Sequence, residues 1–303
     1  MNALVKGYFL AIIASVTYGM NPLFTLPLYA EGMDAHSVLF FRYLLALPIL
    51  ASLFKINHAN FTLYRREVFP LALMGLLMGV SSLTLFASYQ YMDAGIASTL
   101  LFVYPILVAV LMSLLFKEKL TWLTKGCIFM AFIGIMLLYK GSDGATLDPW
   151  GTFIVFVSAV TYAFYIIGVN QSGLREMPTI KITFYVLFFG LSVYVVGILV
   201  QGGLSTPQTP LGWLSLLGLA ALPTAMSLTA TTTAVQYIGS TPTAILGALE
   251  PATAIFFGIT VFDEVLTARD CLGLVLIITA VSLVVAGSAL TKYLKRLLQS
   301  HSH

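Results

Sequence analysis

Charge is scarce in this sequence. Only 9% of its 303 residues are Asp, Glu, Lys or Arg, and 59% are hydrophobic; soluble domains average about 25% charged and about 45–50% apolar. A water-soluble fold of this length could not bury so much apolar surface. A net charge of +3 is too small to argue for a nucleic-acid partner. The two cysteines, Cys127 and Cys271, exclude a disulfide scaffold and a thiolate metal cluster. His36, His58, His301 and His303 fall at span ends, in loops or in the tail, which leaves no intramembrane histidine relay or metal site. No Gly-rich phosphate loop is present and no loop could hold a nucleotide domain, so no cofactor is expected and any driving force must come from a gradient.

What the sequence has in abundance is apolar runs of about 20 residues, each long enough to cross a hydrocarbon core of about 30 Å. Short alternating segments, the mark of a transmembrane β-barrel, are missing. The expected fold is an all-α integral membrane protein. Breaks between the runs predict ten spans, roughly 8–29, 35–54, 68–91, 94–116, 123–140, 150–170, 178–200, 211–235, 242–262 and 269–290. The first is too long for a signal peptide and carries Thr17, Tyr18 and Asn21, so a retained helix is expected there.

An even number of spans puts both termini on one side, and the charges choose which. With the N-terminus in the cytoplasm, inner segments hold Lys6, Lys55, Arg65, Arg66, Lys117, Lys119, Lys125, Arg175, Lys181, Lys292, Lys295 and Arg296. Outer segments hold only Lys140 and Arg269, while Arg42 lies inside a span. This asymmetry is the positive-inside signature and predicts cytoplasmic termini in the cytoplasmic (inner) membrane. The final basic residues would then anchor the tail at the anionic inner leaflet.

The chain also repeats itself. Val16-Thr17-Tyr18 recurs as Val160-Thr161-Tyr162, with Gly7 matching Gly151. Tyr89-Gln90-Tyr91 matches Val235-Gln236-Tyr237, and Tyr104-Pro105 matches Glu250-Pro251. "FKEKLT" at 116–121 matches "FDEVLT" at 262–267, and Gly141 matches Gly287. Two units follow, residues 1–145 and 146–303, each of five spans. Because five is odd, the halves must be inverted, and the matched loops differ in sign as inversion requires: Lys117 and Lys119 against Asp263, Glu264 and Asp270. Inverted repeats place a substrate site near the bilayer midplane between the halves.

At these residues the sequence resembles the EamA-type members of the drug/metabolite transporter superfamily. The likeness rests on the five-plus-five spans, the arginine in "FFRYLLALPIL", the "LEP" at 249–251 and the exit through "FDEVLT", and it covers nearly the whole chain. The first-half exit, Lys117-Glu118-Lys119, departs from the usual pattern by lacking a small residue before the acid. The resemblance implies spans 1, 3, 4, 6, 8 and 9 around a central cavity, with 2, 5, 7 and 10 outside. It also implies transport of small organic metabolites, often amino acids or amines and often outward.

Glu250 is the residue hardest to explain by packing. It lies about eight residues into its span, or about 12 Å along the axis, where a charge usually faces a cavity. Pro251 removes a backbone donor and opens the preceding turn; Pro105 and Pro22 are the corresponding candidates for kinks elsewhere. Polar faces recur at helical spacing. Span 3 carries Ser81, Thr84, Ser88 and Tyr91, and span 6 carries Ser158, Thr161, Tyr162 and Tyr165. Span 1 carries Ser15, Tyr18 and, half a turn on, Asn21-Pro22, while span 8 is rich in hydroxyls at Thr224, Ser227, Thr229, Thr231, Thr232 and Thr233. Hydroxyls of this kind also serve as packing contacts between membrane helices. Arg42 reads as structural, pairing with carbonyls or snorkelling outward, with substrate contact as the alternative.

The expected function is alternating-access transport of a small-molecule substrate, with amino acids or amines favoured and export the expected direction. Its cavity would be lined by Glu250, Tyr104, Tyr18, Asn21, Ser88, Tyr162, Tyr165 and Thr231. Glu250 could carry a coupling proton, oppose a substrate amine as a fixed counter-charge, or simply fasten its helix. An uncoupled facilitator of the same fold is the nearest alternative. An intramembrane lipid-modifying enzyme would need clustered Asp, His or Cys at one membrane face, and Asp263, Glu264 and Asp270 have no histidine beside them in sequence.

Overall fold

The computed structural model describes residues 3–56, 62–117, 120–139, 147–238, 243 and 246–300. Glu118, Lys119, Lys140 and Gly141, used above for the repeat and the orientation, lie outside the described residues. Among those described every regular element is helical. In hydrocarbon no water satisfies backbone N–H and C=O groups, so an apolar run must close its hydrogen bonds within itself.

Span 1 is built from α1 (Ala3–Gly19) and α2 (Asn21–Ala30), span 2 is α3 (Ala35–Ile56) and span 3 is α4 (Arg65–Ser88). Span 4 is broken into α5 (Ala94–Leu101) and α6 (Tyr104–Phe116), and α7 (Trp122–Tyr139) completes the first half. The second half runs α8 (Pro149–Gln171), α9 (Thr179–Gln201), α10 (Pro210–Leu219), a π-helical segment Ala220–Met226, α11 (Ser227–Ile238), α12 (Leu249–Val261) and α13 (Ala268–Ser300). Eight helical segments are long and apolar enough to cross a membrane, and α7 and α12 are shorter apolar helices, which together account for the ten expected spans. Each tryptophan lies in the first four residues of a helix, Trp122 in α7, Trp150 in α8 and Trp213 in α10, where an indole can sit at the membrane–water interface. Leu199, Val200 and Phe69 point outward, as lipid-facing side chains do.

The packing pairs exchange under a swap of the halves. Span 3 packs on span 6 as span 8 packs on span 1, and span 1 packs on span 9 as span 6 packs on span 4. Spans 2 and 7, 4 and 9, and 5 and 10 pack on their own counterparts. The swap extends to single bonds. The Ser81 hydroxyl donates to the Ser158 carbonyl at 3.0 Å, and the Ser227 hydroxyl donates to the Ala14 carbonyl at 2.9 Å. Ser227 is the repeat counterpart of Ser81, and Ala14 that of Ser158. Spans 2, 3 and 7 share a buried aromatic contact, where the rings of Tyr43 and Tyr194 meet edge to face at 5.0 Å and Tyr43 shares a 2.9 Å hydrogen bond with Ser82.

Candidate functional site

Three helix breaks are followed by proline. α1 ends at Gly19 and restarts with Asn21-Pro22, α5 ends at Leu101 and restarts with Tyr104-Pro105, and a turn at Gly247–Ala248 precedes Leu249-Glu250-Pro251. Proline suits the first turn of a helix, because its missing N–H would have no partner there. The expected kinks at Pro22, Pro105 and Pro251 are therefore restarts, each with a polar or aromatic residue directly before the proline. Span 8 is distorted differently, by the π segment around Pro223.

All three breaks border a narrow cleft of about 20 Å³, lined by Tyr18, Asn21, Tyr89, Ser98, Glu250 and Pro251, with Gly19, Leu85 and Leu101 completing the wall. The restart at Asn21 places that side chain in the cleft, with its Oδ1 sealed and unpartnered. Gly19 permits a close crossing of spans 1 and 9: a Cβ there would collide with the Glu250 carbonyl oxygen and lie 2.6 Å from Thr253 Cβ. Close approach brings Tyr18 beside Glu250. The Glu250 carboxyl group forms no ion pair or hydrogen bond with any described residue, and the residue lines the cleft.

The remaining expected site residues divide. Tyr104 meets Tyr162 edge to face at 4.6 Å, and Tyr162 stacks on Tyr165 at 5.7 Å, forming an aromatic wall across spans 4 and 6. Tyr104 and Tyr162 both lie within electrostatic reach of Glu250. Ser88 and Thr231 are not part of the cleft lining. Ser88 is fully buried and donates to the Leu85 carbonyl at 2.6 Å, and Thr231 donates to the Ser227 carbonyl at 2.9 Å. Both hydroxyls are engaged on their own helices.

Tyr89 and Ser98 escaped the reading from sequence. Their hydroxyls lie 3.4 Å apart on the cleft wall. Tyr89 carried a signal, as the first residue of the repeated "YQY", but Ser98 in "AGIASTLL" carried none. Arg42 was expected to snorkel or to bind carbonyls. Instead it is 4% exposed, and its Nε donates to the Thr224 hydroxyl at 2.8 Å. Among the described residues no group of three or more His, Cys, Asp or Glu is arranged to hold a metal ion, and Cys127 and Cys271 are unpaired thiols.

The two ends of the bundle differ. On the face carrying the loops after spans 1, 7 and 9, carboxylates join one half to the other. Glu31 accepts the Thr209 hydroxyl and the Gln208 N–H, the latter at 2.9 Å. Asp34 accepts the Ser205 hydroxyl at 2.6 Å, and Glu264 accepts the Ala94 N–H at 2.9 Å. The hydrogen bond from Thr209 chiefly lowers the Glu31 carboxyl. Burial pushes Asp34 up, but the bonds from Ser205 and Ser37 outweigh it and the net shift is downward. Burial raises Glu264 and Asp93, with Asp93 adding to the rise at Glu264 and Asp270 to that at Asp93. On the opposite face a larger cleft, with about 1030 Å³ of open space, lies between α3, α9 and α11 against Leu50, Thr179, Thr183 and Leu228. There Lys181 pairs with Glu67 at 3.0 Å.

Residues 5–140 and 149–286 each match the model of the EamA-like transporter family. The chain is 26% identical over 195 residues to an uncharacterized transporter of Archaeoglobus fulgidus, covering 64% of this chain and 68% of that protein. It is 27% identical over 236 residues to an uncharacterized transporter of Synechocystis, covering 76% and 70%. A solved crystal structure superposes with a TM-score of 0.65 at 15% identity, over 96% of this chain and 98% of the other, which shows the fold alone. The chain belongs to the EamA-like transporter family and is an integral membrane transporter of a small-molecule substrate.

Proposed function

We propose that this protein exports small organic metabolites, amino acids or amines, across the cytoplasmic membrane by alternating access, with both termini in the cytoplasm and Glu250 coupling flux to protons. One observation carries the reading: Glu250, its carboxyl group without a protein partner, lines a cleft at the meeting of broken helices from both halves. An unpaired acid at such depth is expensive unless a ligand or proton completes it. The tyrosines around it supply aromatic faces that attract a cationic amine. The carboxylate bonds that join the halves on the face assigned to the outside support a state closed on that side, from which an exporter loads at the cytoplasm.

The test is flux in proteoliposomes with and without a pH gradient. Glu250→Gln preserves size and most hydrogen-bonding capacity while removing the charge. It is expected to insert normally, to lose at least tenfold in transport, and to leave the residual flux indifferent to pH. Near-normal, pH-responsive flux in the variant would reduce Glu250 to a helix fastener. Gradient-independent flux in the wild type would identify an uncoupled facilitator.

A further inference from the structure

Arg42 is a buried cation without a counter-ion. Among the described residues the ion pair is Lys181–Glu67 alone, so no carboxylate neutralises the guanidinium. Its carbon lies 5.2 Å from the centroid of the Phe86 ring. Its Nε is held by Thr224, and its two terminal nitrogens bond no described residue. They are also not among the sealed, unpartnered atoms, which include Asn21 Oδ1 and Thr25 Oγ1. They therefore keep a little accessible surface, although the residue as a whole is buried. A guanidinium that is buried and unpaired is unfavourable in a membrane interior.

The local backbone is arranged to hold Arg42 in place. Within the π segment the Thr224 hydroxyl donates to the Leu219 carbonyl, five residues back, at 3.0 Å. This leaves its lone pairs for Arg42. π-bulges occur frequently at functional sites because they turn a side chain away from the helical register. The held Nε leaves the outer edge of the fork free, and that edge matches the two oxygens of a carboxylate.

Arg42 stands behind the wall of the cleft that holds Glu250: the Phe86 ring on which its guanidinium packs meets the cleft-lining Tyr89 at 5.5 Å between centroids. Tyr18 and Tyr89 both line the cleft and both lie within electrostatic reach of Arg42, and Tyr18 is also within reach of Glu250. Yet the two charges do not pair with each other. A cation at one pole and an anion at the other, with tyrosines between, complement a molecule carrying both charges. We propose that Arg42 is a substrate-contacting, specificity-determining residue: it holds the carboxylate of a zwitterionic substrate whose ammonium faces Glu250, and so separates amino acids from amines. The proposal rests on the transporter reading above and assigns that site its anion-binding pole.

The test uses the full chain in proteoliposomes, with protein-free liposomes as the background. Probes are the twenty proteinogenic amino acids, their methyl esters and their decarboxylated amines, counted by mass spectrometry. The wild type is expected to move at least one amino acid tenfold faster than its ester or amine. Arg42→Gln should lower that amino-acid flux at least tenfold and abolish the preference, while Arg42→Lys, charged but without the fork, should fall between. Should Arg42→Gln fail to insert, Arg42→Lys and the wild-type preference still decide. Esters or amines moving as fast as amino acids in the wild type would overturn the proposal and leave the transporter reading standing. So would a preference unchanged in Arg42→Gln and Arg42→Lys. No flux of any probe would overturn both.

Discussion

Lys117 and Asp263 stand 146 positions apart with the same left-handed backbone, φ 56° and 55°. Lys117 follows α6 and Asp263 follows α12, so matched helices in the two halves end on the same turn. Side chains of opposite charge occupy this position, which shows that the backbone turn is shared by the repeats although the sign of the residue is not.

Left-handed conformation costs a non-glycine residue about 1–2 kcal/mol. Lys117→Gly is expected to raise the melting temperature in detergent, and Asp263→Gly to raise it less, because aspartate tolerates this region better. A fall in melting temperature for Lys117→Gly would show that the lysine side chain contributes more than the strain it carries.

Gly19→Ala should damage both stability and function. The added methyl would meet the backbone of span 9, which cannot turn aside as a flexible side chain would. Overpacking of this kind costs about 1–3 kcal/mol, and a melting curve should show a loss of a few degrees. Transport should fall too, since the crossing sets the place of Tyr18 relative to Glu250. A stable, active alanine variant would refute the close crossing.

The loop carboxylates predict the pH dependence of stability. Burial holds Glu264 and Asp93 above their ordinary values, so the folded protein binds more protons there than the unfolded chain. Stability should therefore fall as pH rises through and above the ordinary glutamate value of 4.5. Glu31 and Asp34 are shifted down, so their contribution is present above their ordinary values and lost as pH falls below them. Melting temperature should pass through a maximum in mildly acidic solution. Glu264→Gln should flatten the alkaline side of that curve, and an unchanged curve would exclude Glu264 as its source.

Orientation can be read with single cysteines in a background lacking Cys127 and Cys271. Thr206→Cys should react with a membrane-impermeant thiol reagent in intact cells, and Glu176→Cys only after lysis. Both positions are exposed. The reverse pattern would invert the orientation, and labelling of both in intact cells would refute the span count between them.

Much of the site was legible because its residues break rules that a membrane imposes. Glu250 and Pro251 stand out inside an apolar run, and Tyr18 and Tyr162 recur at matched positions. Ser88 and Thr231 obeyed the same helical spacing as cleft residues, yet their hydroxyls bond carbonyls three or four residues back on their own helices. Periodicity reports the direction of a side chain about its own axis. It does not report whether the hydroxyl is already occupied.

The sequence by itself determined the class of fold, the ten spans and the repeat. In hydrocarbon, apolar runs of this length have the helix as their way of satisfying the backbone, and a five-span unit repeated once must invert. Tertiary structure alone decided which polar groups meet. Arg42 reaches Thr224, 182 positions away, because a π turn shifts Thr224 out of register and packing brings that turn against span 2. Such a meeting depends on crossing geometry and on local breaks in the helix, and neither is written in the period of the residues.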